Sequence, residues 1–332
     1  DKLHDLFKEN RKDFEEKWDD LKVFIEYGMM SEDKFYDKAK DFVLLKNTEG
    51  KYFTLEEYKN IIKENQTDKD EQLVFLYSTD KEAQYSFIND AKEKGYDVLI
   101  MDGQIDTHFV NHMESKLDKT KFVRVDSDVA DNLISKDHTK ESKLDQKQRE
   151  HLTSVFQAQS PSDGNYIVST EPLDEKSMPV IITQEEFMRR MKDMSKLSGG
   201  MYDSLPDSYK LILNTNHPLI ENVSEETESN LGDDFEKIEN KIDELNQEVN
   251  KIDSEQKDKK EEEIDQAEKD KLNEKREELE KVRNEKENKL QKIGENNKLV
   301  KQLVDLALLS NNMLKGESLS KFVKRSIDLI EK

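Results

Sequence analysis

The spacing of apolar positions divides the chain into stretches of distinct character. Leu3, Leu6, Phe7, Phe14, Trp18, Leu21, Phe24 and Ile25 recur at helical intervals, and the pattern reads as helical to about residue 65. Thr54, with Glu57 three residues later, has the form of a capping box ahead of Tyr58, Ile61 and Ile62. The polar run 66–71 reads as a linker. Beyond it, short apolar runs alternate with helical patterns. They predict strands at 73–77, 96–101 and 122–125, and helices at 81–94, closed by Gly95, and at 107–117. That order implies a small sheet covered by helices.

After residue 130 a helix is expected near 145–152. Strands follow at 155–158, 166–169, 180–182 and 209–213, with a helix at 184–197 that stops at Gly199-Gly200. Between 224 and 297 the chain is dense in charge. Phe235, Ile238, Ile242, Leu245, Val249 and Ile252 follow the 3-4-3-4-3 spacing of a coiled-coil seam, and Leu272, Leu279, Val282, Leu290 and Ile293 match it in part. Two readings stay open: an antiparallel helical hairpin with a charged tip at 253–263, or one solvated helix or partial disorder, because so few apolar groups bury little area. The last stretch is apolar again. Leu299, Val300, Leu303, Val304, Leu306, Ala307, Leu308 and Leu309 cover more than one helix face, and Leu319, Phe322, Val323, Ile327 and Ile330 line a final helix. A helix apolar on two sides must be covered on two sides. One side can pack on its own sheet; the other calls for a partner.

The expected fold class is therefore α+β. A first domain, 1–130, holds a helical segment (1–65) and a small α/β unit (72–126). A second α+β domain, 131–332, carries the inserted hairpin at 224–297. Composition changes the picture in a few respects. Hydrophobic residues make up 33% of the 332 and charged residues 39%, so an unusually charged segment is added to ordinary domains. The net charge of −22, with no basic stripe, sets nucleic acid aside as a partner. The absence of cysteine excludes disulfides and thiol catalysis and suits a cytoplasmic protein. No apolar run approaches membrane-spanning length, and no secretion-signal pattern opens the chain. Asp1 leads straight into a helical pattern, so the chain is expected to be part of a longer one.

Candidate chemistry is sparse. His108 and His112 stand at i,i+4, but the glutamate of a zinc-protease motif is missing and no third ligand is evident, so no metal site is expected. Asp102 and Asp106 follow a strand, where acidic residues of phosphoryl-transfer enzymes hold Mg²⁺. No Gly-rich phosphate loop accompanies them, and a turn with a helix N-cap accounts for Asp102, Gly103 and Asp106. No catalytic constellation emerges, and a non-enzyme is expected. Five of ten methionines fall within 178–201, and Phe187, Met188, Met191, Met194 and Leu197 share a helical stripe. Such a stripe faces a core, or offers a flexible surface to variable partners.

Several stretches together resemble the heat-shock-protein-90 family in its bacterial branch. Residues 73–113 resemble the small α/β part of that family's middle domain, with Gly95, Val98 and Leu99 in its G-x-x-V-L strand and Ile105-Asp106 in its I-D segment. Residues 209–220 look like the family's L-x-x-N-P-x-H-x-L motif, 303–330 like its terminal dimerisation helices, and 8–28 like a helical middle-domain segment. The resemblance implies an ATP-dependent, dimeric molecular chaperone that clamps client proteins. Its nucleotide-binding domain and catalytic-loop arginine are expected upstream of Asp1. ATP and Mg²⁺ would then belong to the full-length parent, with no cofactor held by this part. The implied client contacts are Thr107, His108 and Asn111, with Phe187, Met188, Met191 and Met194. The implied dimerisation residues are Leu299, Leu303, Leu306, Leu309, Leu319, Phe322, Val323, Ile327 and Ile330. The implied partners are a second copy, non-native clients and co-chaperones, in the cytoplasm. Residues 224–297 depart from the family pattern as an insertion. The competing classes are a Mg²⁺-dependent enzyme on Asp102 and Asp106, and a structural coiled-coil adaptor.

Overall fold

The computed structural model describes residues 2–136, 140–162, 164–197, 207–257 and 266–331. Helices α1 (Lys2–Glu9), α2 (Arg11–Glu16), α3 (Trp18–Ser31) and α4 (Asp33–Ala39) come first. A two-stranded antiparallel ribbon, β1 (Leu44–Lys46) and β2 (Tyr52–Thr54), then interrupts the expected run of helices. Its turn is set by Asn47, whose Oδ1 accepts from Glu49 N and Lys51 N, and by Gly50 at φ 80°. The Thr54–Glu57 capping box then opens α5 (Leu55–Ile62).

Strand β3 (Leu73–Ser78), α6 (Tyr85–Glu93), β4 (Val98–Ile100), α7 (Asp106–Lys116) and β5 (Thr120–Arg124) form a parallel sheet in the order β4-β3-β5. Strand alternation divides β3 between two cores. Phe75 and Tyr77 join Phe14, Trp18, Ile25, Met29 and Tyr58 from the helical segment, while Val74 and Leu76 pack with Phe87, Ile88 and Val98. The helical segment and the sheet thus share one core, and the run 66–71 is tied to it by the buried Gln66 and Asp68 while 69–71 stay exposed. Gln66 is buried; its Nε2 donates to Val74 O (2.8 Å) and its Oε1 accepts from Asp97 N (2.6 Å).

After the short α8 (Ala130–Leu133), Asp145 caps α9 (Gln146–Gln157) through a second capping box with Gln148. The strand expected at 155–158 falls in the last turn of α9, because Leu152, Val155 and Phe156 continue its buried face. Strands β6 (Asn165–Glu171) and β7 (Val180–Gln184), helix α10 (Glu186–Leu197) and strand β8 (Ser208–Asn214) follow. The sheet order is β6-β8-β7, with β6 parallel and β7 antiparallel to β8. The Gly199-Gly200 stop lies outside the described residues. Asn214 and Asn216 of the recognised motif tie loops together. Asn214 donates to Asp174 O (2.7 Å) and accepts from Leu173 N, while Asn216 donates to Glu141 O and Leu173 O.

His217 caps α11 (Pro218–Asn230), with Pro218 in the first turn. Val223, Ser224 and Thr227 are buried on this helix, so the charged insertion begins only at α12 (Asp233–Lys257) and returns as α13 (Gln266–Asn296). Contacts Glu239–Lys286, Asn246–Arg283 and Asp253–Arg276 climb one helix as they descend the other, so the pair is an antiparallel hairpin. Leu245, Val249, Leu272 and Leu279 fill its seam, and Phe235 and Leu290 enter the domain core. The expected tip falls partly on residues that are not described. Helices α14 (Lys298–Ser310) and α15 (Gly316–Ile330) close the chain.

Two close contacts carry stability predictions. A Cβ at Gly294 on α13 would lie 2.1 Å from Val155 O on α9. Gly294→Ala is expected to cost ~2 kcal/mol in chemical denaturation, the clash outweighing the gain in helix propensity. At the foot of α7, Asp106 accepts from Lys22 Nζ and from Gly103 N, and Glu26 is buried beside it. Among the described residues Glu26 Oε2 and Asp106 Oδ1 have no other donor, and a proton on Glu26 donated to Asp106 satisfies both. Burial, and then the Asp106 carboxylate, push Glu26 up to about 9. The folded chain therefore keeps a proton that the unfolded chain has released above the ordinary glutamate range. This group's stabilising share is full at low pH and declines as pH rises towards 9, at up to about 1.4 kcal/mol per pH unit. Glu26→Gln is expected to remove that slope in urea titrations between pH 5 and 9. An unchanged slope would refute the shared proton.

Candidate functional site

Helix α10 carries three methionines and, between Met188 and Met191, two adjacent arginines, and this sequence decides how it docks. Glu186 at its first turn meets Arg189 and Arg190 at i,i+3 and i,i+4. All three turn towards the parallel sheet β4-β3-β5. The Tyr77 hydroxyl at the end of β3 donates to Glu186 Oε1 (2.6 Å), which also accepts from Arg190 Nη2 (2.9 Å). Arg190 donates further to Glu114 Oε2 (2.6 Å), Asn111 Oδ1 (2.9 Å) and Phe122 O (2.8 Å). Arg189 lies 3.2 Å from Asp126, which also accepts from Arg124 and Gln84. The network thus joins β3, β5 and α7 to α10.

Burial dominates its electrostatics. Burial raises the Tyr77 hydroxyl, and the Glu186 carboxylate raises it further. Burial lowers the Arg189 guanidinium, against the pull of Asp126. Burial also works against the charge of Arg190, but Tyr77, Glu186 and Glu114 outweigh it and the net shift is upward. Asp126 would rise through burial, yet Arg124 and Arg189 hold it below the usual carboxylate range. Removing one partner would strand a buried charge, at a cost of about 3–5 kcal/mol.

This docking brings the two sets of expected contact residues together. Asn111 on α7 donates to Met194 Sδ on α10 and accepts from Arg190. Thr107 and His108 lie half-buried on the same helix, and His108 Nε2 has no hydrogen-bond partner among the described residues. The methionine stripe is neither core nor open surface. Met188, Met191 and Met194 are half-buried, while Phe187 stands clear at 70% exposure. Arg189, Arg190 and Glu114 were not anticipated. The signal available was a pair of adjacent arginines set between Met188 and Met191, which an apolar stripe tolerates only with partners.

The other candidate residues behave differently. Asp106 is committed to Lys22, Gly103 and Glu26, and Asp102 is exposed. His112 stacks edge-on against Tyr36. Among the described residues no cluster of three His, Cys, Asp or Glu side chains has metal-holding geometry, and no helix is long and apolar enough to cross a membrane. On the terminal helices, Leu303 and Phe322 are buried in the chain's own core, so neither is free to meet a second chain as expected. Leu299, Leu306, Leu309 and Leu319 are half-buried at its edge, whereas Val323, Ile327 and Ile330 are exposed, Ile330 to 84%. Helix α15 is fixed to α14 by Arg325, which donates to Asp305 and to Gln302 Oε1 (2.7 Å), and by Gln302 donating to Ser326 Oγ (2.8 Å).

Comparison with known proteins agrees with this architecture. The family model described as Hsp90 protein matches residues 1–245. Chaperone protein HtpG of Bacteroides thetaiotaomicron is 47% identical over 334 aligned residues, covering 99% of this chain and 49% of the relative. Chaperone protein HtpG of Porphyromonas gingivalis is 44% identical with the same coverage. That of Bdellovibrio bacteriovorus is 24% identical over 233 residues, covering 67% of this chain and 36% of the relative. The Bacteroides and Porphyromonas matches run through the α12–α13 hairpin, so those relatives share it. The chain spans about half the length of the curated relatives it matches. These matches overturn the expectation of a non-enzyme: the family is one of ATPases, and the lack of a recognisable constellation in these residues does not place the protein outside it. With a family model over most of its length and relatives at 44–47% identity across nearly all of it, the chain belongs to the Hsp90 family of molecular chaperones.

Proposed function

We propose that this chain holds non-native client proteins on the α7–α10 face and pairs with a second copy through its terminal helices, as part of an ATP-dependent cytoplasmic chaperone. The observation that carries the client-holding reading is the contact of Asn111 with Met194, which makes one continuous face from two helices of different domains. Phe187 supplies an exposed aromatic anchor, and the half-buried methionines supply polarisable contact that adapts to different partners. The arginines beneath them hold α10 at a fixed height, so the apolar groups are presented without collapsing into the core. Such a face suits short apolar segments that a folded protein would hide. The family's ATPase character supports ATP and Mg²⁺ as ligands of the whole protein.

Pairing is supported by α15. Its inner face is spent on α14, while Val323, Ile327 and Ile330 form a second apolar edge that stays about half or more exposed among the described residues. At roughly 1.5–3 kcal/mol for each such side chain buried, and with both copies contributing under two-fold symmetry, the gross term exceeds a moderate association cost.

The triple variant Met188→Ser, Met191→Ser, Met194→Ser is expected to weaken capture of a non-native client. At ~1 kcal/mol per truncated methionine, Kd rises by about two orders of magnitude. Aggregation suppression reads this, and a melting temperature lowered by much more than a few degrees would instead mark the stripe as core. Arg190→Ala is expected to loosen α10 and raise amide exchange across 186–197. Replacing Val323, Ile327 and Ile330 with Asp is expected to convert a micromolar dimer into monomer in sedimentation velocity. A monomeric parent protein at that concentration would rule out the pairing.

A further inference from the structure

The histidine at the base of the hairpin has a setting that client holding and pairing do not use. His151 on α9 is almost wholly buried. Its Nδ1 lies 2.7 Å from Glu228 Oε1 on α11, and its Nε2 lies 3.1 Å from Glu239 Oε1 on α12. A neutral imidazole has one N–H and one lone pair. Both ring nitrogens here face carboxylate oxygens, which only accept. The arrangement is satisfied when the ring carries both protons and donates to each side. With one proton lost, a nitrogen lone pair points at a carboxylate oxygen inside hydrogen-bond distance.

We infer that His151 is a proton-operated clasp that sets how firmly the α12–α13 hairpin is held against the body of the C-terminal domain. The groups around it fit that role. The Phe235 ring of α12 meets the imidazole edge-on at 5.3 Å, which keeps the ring from turning away from its partners. On α13, Lys286 donates to Glu239 (2.7 Å) and lies over Phe235. On α9 itself, Lys147 reaches Glu239 at 3.4 Å and Ser154 donates to Glu287 of α13. Asp145 of α9 and Asp233 and Glu236 of α12 line the same cleft, and Glu150 of α9 lies alongside. Burial would raise Glu239, but hydrogen bonds from Lys286 and His151 outweigh it and hold it at about 2, so Glu239 does not supply the missing proton near neutrality.

The direction follows from this geometry. With both protons in place the ring bridges α11 and α12. With one proton lost, one bridge turns repulsive and the first turns of α12 loosen. The hairpin stays tethered through Phe235 and Leu290 in the domain core, so the change is in the firmness of the arm and not in its attachment. Imidazole is the side chain whose charge ordinarily changes between about pH 5 and 8.

Amide hydrogen exchange on the whole chain tests this at pH 5.5 and 8.5, corrected for intrinsic rates and referenced to β8. Protection of residues 233–245 is expected to fall by about tenfold or more at the higher pH, since one linked proton permits up to a tenfold change per pH unit. His151→Gln, which is neutral throughout, is expected to show no such fall. A wild-type profile flat with pH, or the same fall in His151→Gln, would overturn the clasp. Should that variant fail to fold, Glu228→Gln decides. Its amide can donate to a neutral ring, so it is expected to remain docked and lose most of the pH dependence, and retention of the full tenfold fall would count against the proposal.

Discussion

The docking of α10 through Arg189 and Arg190 is the interaction on which the rest of the arrangement depends. Glu186, Glu114 and Asp126 pair with these two guanidinium groups from α10 itself, from α7 and from the end of β5, and the Tyr77 hydroxyl of β3 donates to Glu186. A buried arginine left alone would be strongly destabilising, so the partners and the arginines hold one another in place. The consequence is geometric. Asn111 and Met194, on elements far apart in sequence, are brought together, and the methionine stripe is held half-open. An apolar stripe without these charges would sink into a core. A stripe without their partners would leave the surface.

The same device recurs wherever modules meet. Gln66 joins α5 to the parallel sheet through backbone atoms of Val74 and Asp97. Asn214 and Asn216 gather the loops at 141–143 and 173–174. Asp305 is buried between Lys301 and Arg325 where α14 meets α15, and His151 bridges α11 and α12. In a chain with only 33% hydrophobic residues, apolar cores fill the modules and satisfied polar groups fix their mutual positions. Such contacts have narrow distance and angle requirements, so they select one geometry more sharply than apolar burial does.

Much of the fold was legible in local pattern. The capping box at Thr54, the strand of 73–78, the seam from Phe235 to Ile252 and the terminal helices all follow from rules acting over a few residues. The misreadings came where local pattern was ambiguous. Val155 and Phe156 make a short apolar run that suits a strand, but the cap at Asp145 had already started a helix long enough to include them. The ribbon of β1 and β2 has strands of three residues each, too short for periodicity to separate from helix. The polar run at 66–71 looked solvated because a buried glutamine is recognised only from its partners. The catalytic class was misjudged for a different reason: a search for constellations speaks only for the residues searched, whereas family membership speaks for the protein.

By itself the sequence determined most of the elements, the hairpin seam and the family to which the chain belongs. Those features are encoded by period, caps and residue order, which act along the chain. Only the tertiary structure decided that α7 and α10 form one face, that Leu303 and Phe322 are spent inside while Val323, Ile327 and Ile330 are not, and that His151 sits between two carboxylates. Each of those depends on which polar group finds which partner across 20 to more than 100 residues of intervening chain. A charged side chain announces that it needs a counterpart, but its spacing along the chain does not say which one the fold will supply.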